Sequence, residues 1–407
     1  MIHIQNALTI DGTTTSLSIP SEQTICLNAS GLLLLPGLID PHVHFRTPGL
    51  EHKEDWCSGA RASIKGGYTT VFDMPNTDPP TVTAQALLEK KARIEQQLAA
   101  VNIPLRYYLF LGADKQQLAT VSLLKDQVIG IKVFMGCSTG GLLIDDDESL
   151  HALFKIAAEQ DLLVAVHAED EARIRIHKRL FADKQTYSIH SQIRDEQVAV
   201  NAVRKAITLA GLYGTRLYLL HVSTCAELEL IADAKDQGLP VFAETTPHHL
   251  FLNQADYTNL QGKAVMNPPL RTSRDQQALW HAIRNGIIDT LGSDHAPHTL
   301  AEKAQPYEIC PAGVPGIETS LPLLLDAQHK GLVSLKQILR LTTERAREIF
   351  KLPETNDYVL VNPNQIKTVI EAELQTKCAW SPFAGRVLQG WPVYVIVQGR
   401  LYDLEKL

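Results

Sequence analysis

The sequence lacks any hydrophobic stretch long enough to cross a bilayer, which takes roughly 18 consecutive apolar residues. Its run of leucines, residues 32–35, ends at Pro36 and Gly37. The N-terminus lacks a basic segment followed by a long apolar one, so no signal peptide is predicted. The six cysteines lie far apart and form no CxxC pair, a pattern typical of reduced thiols and not of a disulfide framework. We therefore expect a cytoplasmic protein that does not engage a membrane.

Basic tracts are also missing. The chain has 38 Lys and Arg against 45 Asp and Glu, a formal net charge of −7, and its cationic residues are scattered. This distribution argues against a nucleic-acid partner. No Gly-rich phosphate-binding loop is present, which argues against a doubly wound dinucleotide fold. The hydrophobic fraction of 45% is ordinary for a globular protein with a large core.

Eight short apolar segments rich in strand-forming residues alternate with helix-like segments. Amphipathic periodicity predicts helices over residues 83–99, 148–160, 195–210 and 226–237. This alternation predicts a parallel sheet, and eight strands are the number that closes a TIM barrel. The predicted strands are Gly37–His44, Thr69–Met74, Leu105–Leu111, Gly130–Met135, Leu162–His167, Arg216–Val222, Pro240–Thr245 and Ile287–Ser293. The predicted fold class is therefore α/β, a (β/α)8 TIM barrel.

Both ends of the chain contain short alternating or β-rich segments. They are IHIQNALTI (2–10) and SLSIP (16–20) at the N-terminus, and AWSPF (379–383), GRVLQG (385–390) and PVYVIVQGRLY (392–402) at the C-terminus. Alternation with period two is typical of strands. We predict a small β-sandwich domain made of residues 1–35 and 355–407, with the barrel domain spanning residues 36–354.

The first predicted barrel strand contains His42 and His44, and Arg46 follows at the next alternate position. Alternate side chains of a strand project to the same side, so the two imidazoles can converge on one metal ion. Arg46 places a permanent cation at the end of the strand, suited to a two-pronged grip on a carboxylate. An isolated His-x-His pair would more often be two structural histidines bonded to backbone carbonyls.

Four more metal-ligand residues end later strands: Lys132, His167, His221 and Asp294. Each has an ordinary structural explanation, because lone lysines usually reach solvent or an acid and strand-end aspartates often cap helices. A buried lysine must instead be neutral or paired, and a neutral amine can add carbon dioxide to give an anionic carbamate. Ligand residues at five strand ends favour a metal site, and zinc suits mixed imidazole and carboxylate ligands.

The ordered ligand set resembles that of the amidohydrolase superfamily, over residues of about 31–350. The resemblance implies two Zn²⁺ ions bridged by carboxylated Lys132. It implies that Asp294 is both a metal ligand and the catalytic proton carrier, which accepts a proton from the attacking hydroxide and delivers it to the leaving nitrogen. The complete predicted metal-ligand set is His42, His44, Lys132, His167, His221 and Asp294.

Four segments are similar to the dihydroorotase family in particular: HVHFRTPG (42–49), DMPNT (73–77), MNPPLR (266–271) and SDHAPH (293–298). The resemblance implies a small-molecule substrate, dihydroorotate or N-carbamoyl-aspartate, and a role in pyrimidine biosynthesis. It implies a homodimer and a possible association with aspartate transcarbamoylase. The substrate carboxylate would bind Arg46, Asn76 and His298, and the amide edge of the ring would contact Asn267 and the backbone of Ala312 and Gly313.

Two alternatives stay open at this point. A hydantoinase or allantoinase would share the metal site, but its substrates lack the carboxylate that Arg46 would bind. A non-catalytic partner of aspartate transcarbamoylase would have lost metal ligands, whereas every ligand position is kept here. Turn chemistry is the plain explanation for Asn76 and Asn267, because both adjoin prolines.

Several residues outside the predicted ligand set have expected structural or supporting roles. Thr47 stands where the family usually has an acidic residue, and is expected to lie beside the site and not in it. The segment 145–147 is expected to be a solvated loop and helix start, because the spacing of a calcium loop is missing. Glu244 could offer the site an extra carboxylate or have a structural role, and the pair His248–His249 could support the site from outside. The polar segment Thr299–Pro311 is predicted to be a mobile loop that closes over substrate.

Overall fold

The computed structural model describes residues 1–136 and 142–407. Cys137, which carried no sign of a nucleophilic role in the sequence, lies outside these residues. The strands are β1 Ile2–Leu8, β2 Thr14–Ile19, β3 Ile25–Asn28, β4 Leu33–Pro36, β5 Leu38–Val43, β6 Tyr68–Asp73, β7 Arg106–Gly112, β8 Gly130–Phe134, β9 Val164–His167, β10 Leu217–Leu219, β11 Val241–Thr245, β12 Thr290–Leu291, β13 Tyr358–Thr368, β14 Val387–Val397 and β15 Arg400–Asp403.

Strands β5 to β12 form the barrel. They lie side by side in chain order in one eight-stranded sheet, and their pairings are parallel. The first and last strands meet where the amide of His44 donates to the carbonyl of His295 at 2.8 Å, which closes the ring. Each of the eight predicted strands is confirmed, since fully buried parallel strands show as uninterrupted apolar runs.

The helices lie between the strands, as the alternation predicted. Their bounds are α1 Trp56–Lys65, α2 Ala84–Val101, α3 Leu118–Leu124, α4 Asp147–Glu159, α5 Glu171–Leu180, α6 His190–Ile193, α7 Glu196–Tyr213, α8 Cys225–Asp236, α9 Pro247–Phe251, α10 Tyr257–Leu260, α11 Ser273–Arg284, α12 Leu300–Lys303, α13 Ile317–His329, α14 Leu335–Leu339 and α15 Arg345–Ile349. The four helices predicted from periodicity begin after Thr83, Asp146, Asp195 and Thr224, whose side chains cap them. Among the described residues, no helix has the length and apolarity that a membrane span requires.

Strands from both termini form a second sheet. Its order is β15-β14-β13-β4-β1-β2, with β3 also paired to β1. The pairings of β1 with β3 and β4 are parallel and the others are antiparallel. Residues of β1, β2, β13 and β14 share one buried apolar cluster, so this sheet has a core of its own. Strand β13 did not stand out in the sequence, whereas the expected strand at 379–383 is wrong.

Residues 379–383 instead form an irregular segment that ends in a turn and packs on the barrel. Trp380 and Phe383 are buried in one cluster with Met266 and Leu270, and the indole nitrogen of Trp380 donates to the carbonyl of His298 at 2.7 Å. The apolar residues of this segment are therefore buried by side-chain packing without strand pairing. The domain boundaries at residues 35/36 and 354/355 stay a prediction.

Candidate active site

The ends of the barrel strands bring almost all the predicted site residues to one cavity. Of the predicted residues, only His298 is not part of the cavity wall in the described structure. The cavity is lined by His42, His44, Arg46, Asn76, Lys132, Phe134, His167, His221, Asn267, Asp294, Ala296, Ala312 and Gly313. Side chains from strands far apart in the sequence thus meet at the face where TIM barrels carry their active sites.

The first group of ligand atoms comes from His42, His44 and Asp294. The Nε2 atoms of both histidines lie 3.2 Å from Oδ1 of Asp294, and the ligand atoms of all three lie within 4.8 Å of one another. Nδ1 of His42 is 2.8 Å from Oε1 of the buried Glu244, which orients the ring so that Nε2 faces the cavity. Asp294 has a φ of 44°, a left-handed backbone conformation of the kind that clusters at functional sites.

The second group consists of His167 and His221. Nδ1 of His167 and Nε2 of His221 lie 2.9 Å apart, and Nε2 of His167 is 2.8 Å from the carboxylate of Glu169. Burial opposes ionisation of Glu169, but the contacting Arg194 guanidinium overcomes this and lowers the pKa of Glu169 to about 2. An ionised Glu169 only accepts hydrogen bonds, so His167 carries its proton on Nε2 and directs the Nδ1 lone pair at His221.

Burial keeps these imidazoles neutral. It lowers the pKa of His42 to about 3 and holds the pKa of His221 well below its usual range. A neutral imidazole is the form that binds metal ions. Neutral imidazoles together with the Asp294 carboxylate are the ligands that zinc prefers, so the donor set fits a divalent metal such as zinc.

Lys132 lies between the two ligand groups and is almost fully buried. Burial lowers the pKa of its amine to about 7, although the charges of Asp294 and Glu244 oppose the shift. Within residues 1–136 and 142–407 the amine has no ion-pair partner, and it lies 4.6 Å from the centroid of the Phe134 ring. A buried lysine without a carboxylate partner is poised to lose its proton.

Arg46 and Asn76 lie on the cavity wall near the first ligand group. Arg46 is nearly fully buried, and its Nε donates to the carbonyl of Pro297 at 3.2 Å. Oδ1 of Asn76 has no partner among the described residues. His298 is fully buried behind Arg46, with its Nε2 3.2 Å from the arginine Nη2. Arg46 can therefore present its guanidinium to an anion in the cavity that Asn76 also lines.

Asn267 and the backbone of Ala312 and Gly313 also line the cavity. The side-chain oxygen of Asn267 is 2.9 Å from Nε2 of His190, a histidine that the sequence did not single out. If His190 donates this bond, the amide nitrogen of Asn267 is left to face a ligand. Gly313 has a φ of 141°, and a Cβ there would lie 2.4 Å from the Ala296 carbonyl, so this close approach requires glycine.

Sequence reasoning missed several supporting residues. Glu169 and Arg194 orient His167, His190 bonds Asn267, and Lys53 bonds His298. The spacing of His167 and Glu169 on alternate positions was a usable signal, because alternate residues of an extended chain share a side. Glu244, which could have been structural only, touches both His42 and the amide of His221.

The remaining interpretations have varied outcomes. The hydroxyl of Thr47 contacts the Phe45 carbonyl and Gln97 and does not line the cavity. Asp146 caps α4 as expected for a solvated helix start. His249 bonds Thr246 and the carbonyl of Pro268, outside the cavity wall.

Segment Thr299–Pro311 contains the short helix α12, and the Lys303 amine donates to the carbonyl of Pro311 at 2.8 Å. Its closure over substrate stays a prediction. We expect slower amide hydrogen exchange in this segment when ligand is bound, because closing loops exclude water. Identical exchange with and without ligand, measured by mass spectrometry, would count against closure.

The amidohydrolase family profile matches residues 33–401 of the chain. Among curated proteins, the chain is 37% identical over 379 residues to a dihydroorotase from Halobacterium salinarum, covering 90% of this chain and 85% of the relative. It is 34% identical over 397 residues to a dihydroorotase from Bacillus cytotoxicus, covering 94% and 90%.

Solved structures with the same fold include hydantoinases and dihydropyrimidinases. The L-hydantoinase (dihydropyrimidinase) of Arthrobacter aurescens matches with a TM-score of 0.92 at 26% identity, over 99% of this chain and 96% of that chain. The dihydropyrimidinase of Brevibacillus agri matches with a TM-score of 0.88 at 25% identity, over 98% and 94%. With a family match across most of its length and curated relatives above 30% identity, the chain belongs to the amidohydrolase family and, within it, groups with the dihydroorotases.

Proposed function

We propose that this enzyme interconverts L-dihydroorotate and N-carbamoyl-L-aspartate, the dihydroorotase reaction of pyrimidine biosynthesis. The observation that carries the proposal is that the Arg46 guanidinium lines the same cavity as the two groups of metal-ligand atoms. A cyclic amide that also bears a carboxylate would fill both parts of this cavity. The curated relatives from Halobacterium salinarum and Bacillus cytotoxicus are named dihydroorotases.

We propose that two Zn²⁺ ions bind here, one at His42, His44 and Asp294 and one at His167 and His221. The second pair offers only two ligand atoms, and a carbamate formed from Lys132 and carbon dioxide would add an anionic ligand shared by both ions. When bound, the ions would polarise the ring carbonyl and make the attacking water more acidic. The Lys132 amine, which has no ion-pair partner among the described residues and lies over the Phe134 ring, supports this arrangement.

The side chains of the cavity supply the rest of the mechanism. Arg46, with Asn76 beside it, would bind the substrate carboxylate through charge-assisted hydrogen bonds. Asn267 and the backbone of Ala312 and Gly313 would hold the amide edge of the ring.

Asp294 would accept the proton of the attacking water and return it to the ring nitrogen as the carbon–nitrogen bond breaks. Both directions pass through the same transition state, and closure of the ring consumes one proton. Lower pH is therefore expected to favour dihydroorotate.

A hydantoinase is the second candidate, favoured by the similarity to solved hydantoinase structures. Its substrates lack the ring carboxylate, so a buried arginine would have no ligand there. The two candidates are separated by offering dihydroorotate, N-carbamoyl-aspartate, hydantoin and allantoin to the purified zinc-supplemented enzyme. Turnover of the first two alone supports the proposal, and turnover of hydantoin or allantoin instead contradicts it.

Replacing Arg46 with methionine is expected to reduce kcat/KM for dihydroorotate by about 100- to 1,000-fold, because two hydrogen bonds to a charged group are lost. Steady-state kinetics of both directions measure the change. Arg61 is exposed on α1, and Arg61→Met is the matched control that should retain wild-type kinetics. Unchanged kcat/KM in Arg46→Met would remove the arginine from substrate binding.

We also propose a cytoplasmic location, in keeping with the scattered cysteines, and a homodimer that associates with aspartate transcarbamoylase. The resemblance to the dihydroorotase family supports the last two. Light scattering of the purified chain, with and without the transcarbamoylase, tests both. A monomeric chain that does not bind the transcarbamoylase would contradict both proposals.

A further inference from the structure

His298 is enclosed by polar groups that restrict where its proton can lie. Its Nδ1 is 3.1 Å from the amine of Lys53. Its Nε2 is 3.1 Å from the carbonyl of Ala312 and 3.2 Å from Nη2 of Arg46. The Lys53 amine in turn lies 3.0 Å from Oε1 of Glu302. The side chains of His298, Lys53 and Arg46 are all buried.

The donor and acceptor character of these neighbours selects one tautomer. An ammonium paired with Glu302 has only donors, so Nδ1 of His298 must accept from Lys53 and carries no proton. The nearest oxygen of Glu302 to Nδ1 is 3.9 Å away, too far to accept a hydrogen bond. The proton is therefore on Nε2, where it is donated to the carbonyl of Ala312.

This tautomer has a consequence for Arg46. A protonated Nε2 cannot accept from Nη2 of Arg46, because both groups are donors. Nη2 of Arg46 therefore has no acceptor on His298, and Arg46 lines the cavity. In the opposite tautomer, the Nε2 lone pair would accept from Arg46 and occupy the group that a substrate would need.

We propose that Lys53 is a positioning residue for substrate binding. Lys53 holds His298 with its proton on Nε2, which keeps Nη2 of Arg46 available to the substrate carboxylate. The same proton is donated to the Ala312 carbonyl and fixes its position. The proposal rests on the dihydroorotase reaction for the identity of the anion. The tautomer itself does not depend on that assignment.

The first test is nitrogen-15 NMR of the imidazoles in the zinc-loaded wild-type enzyme, with the His298 signals identified by their loss in His298→Gln. We expect a protonated, pyrrole-type Nε2 and an unprotonated, pyridine-type Nδ1. A proton on Nδ1 overturns the proposal. This measurement needs no substrate and no variant of Lys53.

The second test compares Lys53→Met with Lys53→Arg. Lys53→Met removes the donor, and the KM for dihydroorotate and for N-carbamoyl-aspartate should rise about 10-fold or more while kcat stays near wild type, the size expected for one lost charge-assisted hydrogen bond. Lys53→Arg keeps a cation with donors only and should restore most of the KM. Thermal unfolding of both variants checks that folding is retained.

The role of Lys53 and the proposed dihydroorotase reaction can fail independently of each other. The role of Lys53 is overturned if the KM of a folded Lys53→Met protein is unchanged. It is also overturned if kcat falls about 10-fold while KM stays at the wild-type value. The wild-type enzyme could instead fail to turn over dihydroorotate while Nε2 of His298 is protonated. That result contradicts the proposed reaction but agrees with the tautomer assignment.

Discussion

Replacing Asp294 with asparagine is expected to lower turnover of dihydroorotate by about 100- to 10,000-fold, the range that a positioned general acid–base group contributes. Metal content should stay substantial. The carboxylate oxygen is 3.2 Å from the Nε2 atoms of both His42 and His44, and an amide oxygen could keep that position. An amide has no basic site for the proton of the attacking water, so chemistry should fail while ligation persists.

The measurement is kcat in both directions together with metal analysis of the same samples. Asp326→Asn is the matched control, because Asp326 on α13 pairs with Lys330 and lies outside the cavity wall. It should retain wild-type turnover. An Asp294→Asn enzyme that is fully active with bound metal would show that another group moves the proton.

The barrel and the metal-ligand positions could be predicted because their signals are local. Each barrel strand is buried on both faces and so reads as a continuous apolar run, and a polar residue at its end stands out. His42, His167 and Asp294 were identified in this way, and the structure brings them to one cavity. The closing contact between the first and last strands follows from strand number and not from any particular residue.

The supporting contacts could not be predicted because they join residues far apart in the sequence. Lys53 meets His298 across 245 positions, and His190 meets Asn267 across 77. Neither lysine nor histidine is unusual in its own segment. The packing of Trp380 against the barrel was missed for the same reason, since its neighbours Met266 and Leu270 lie far away in the sequence.

The second large effect is expected at Lys132. Replacing it with alanine should lower turnover by on the order of a thousandfold, corresponding to several kcal/mol of transition-state stabilisation, and should also reduce bound metal. The physical reason is the shortage of ligand atoms at His167 and His221, where the proposed carbamate would supply the shared anionic oxygen. The amine is buried without a carboxylate partner among the described residues.

Carbamate formation can be observed directly. The amine of Lys132 attacks carbon dioxide, a carbon–nitrogen bond forms, and one proton is released, which leaves an anionic carbamate. Wild-type enzyme equilibrated with carbon-13 bicarbonate should show a carbamate signal that is absent in Lys132→Ala. An active wild-type enzyme without such a signal would contradict the carbamate and leave the lysine to act as an amine.

Chemical rescue distinguishes a missing ligand from a damaged fold. A short carboxylate such as propionate can enter the space left by the Lys132→Ala change and provide the anionic oxygens, so it should restore part of the metal content and activity. Methylammonium chloride at equal ionic strength supplies a cation of similar size and should restore neither. If propionate has no effect while the variant melts like wild type, the shared-ligand role of Lys132 is wrong. Rescue by propionate alone would instead show that the site requires an anion at this position, and that the buried lysine serves by ceasing to be a cation.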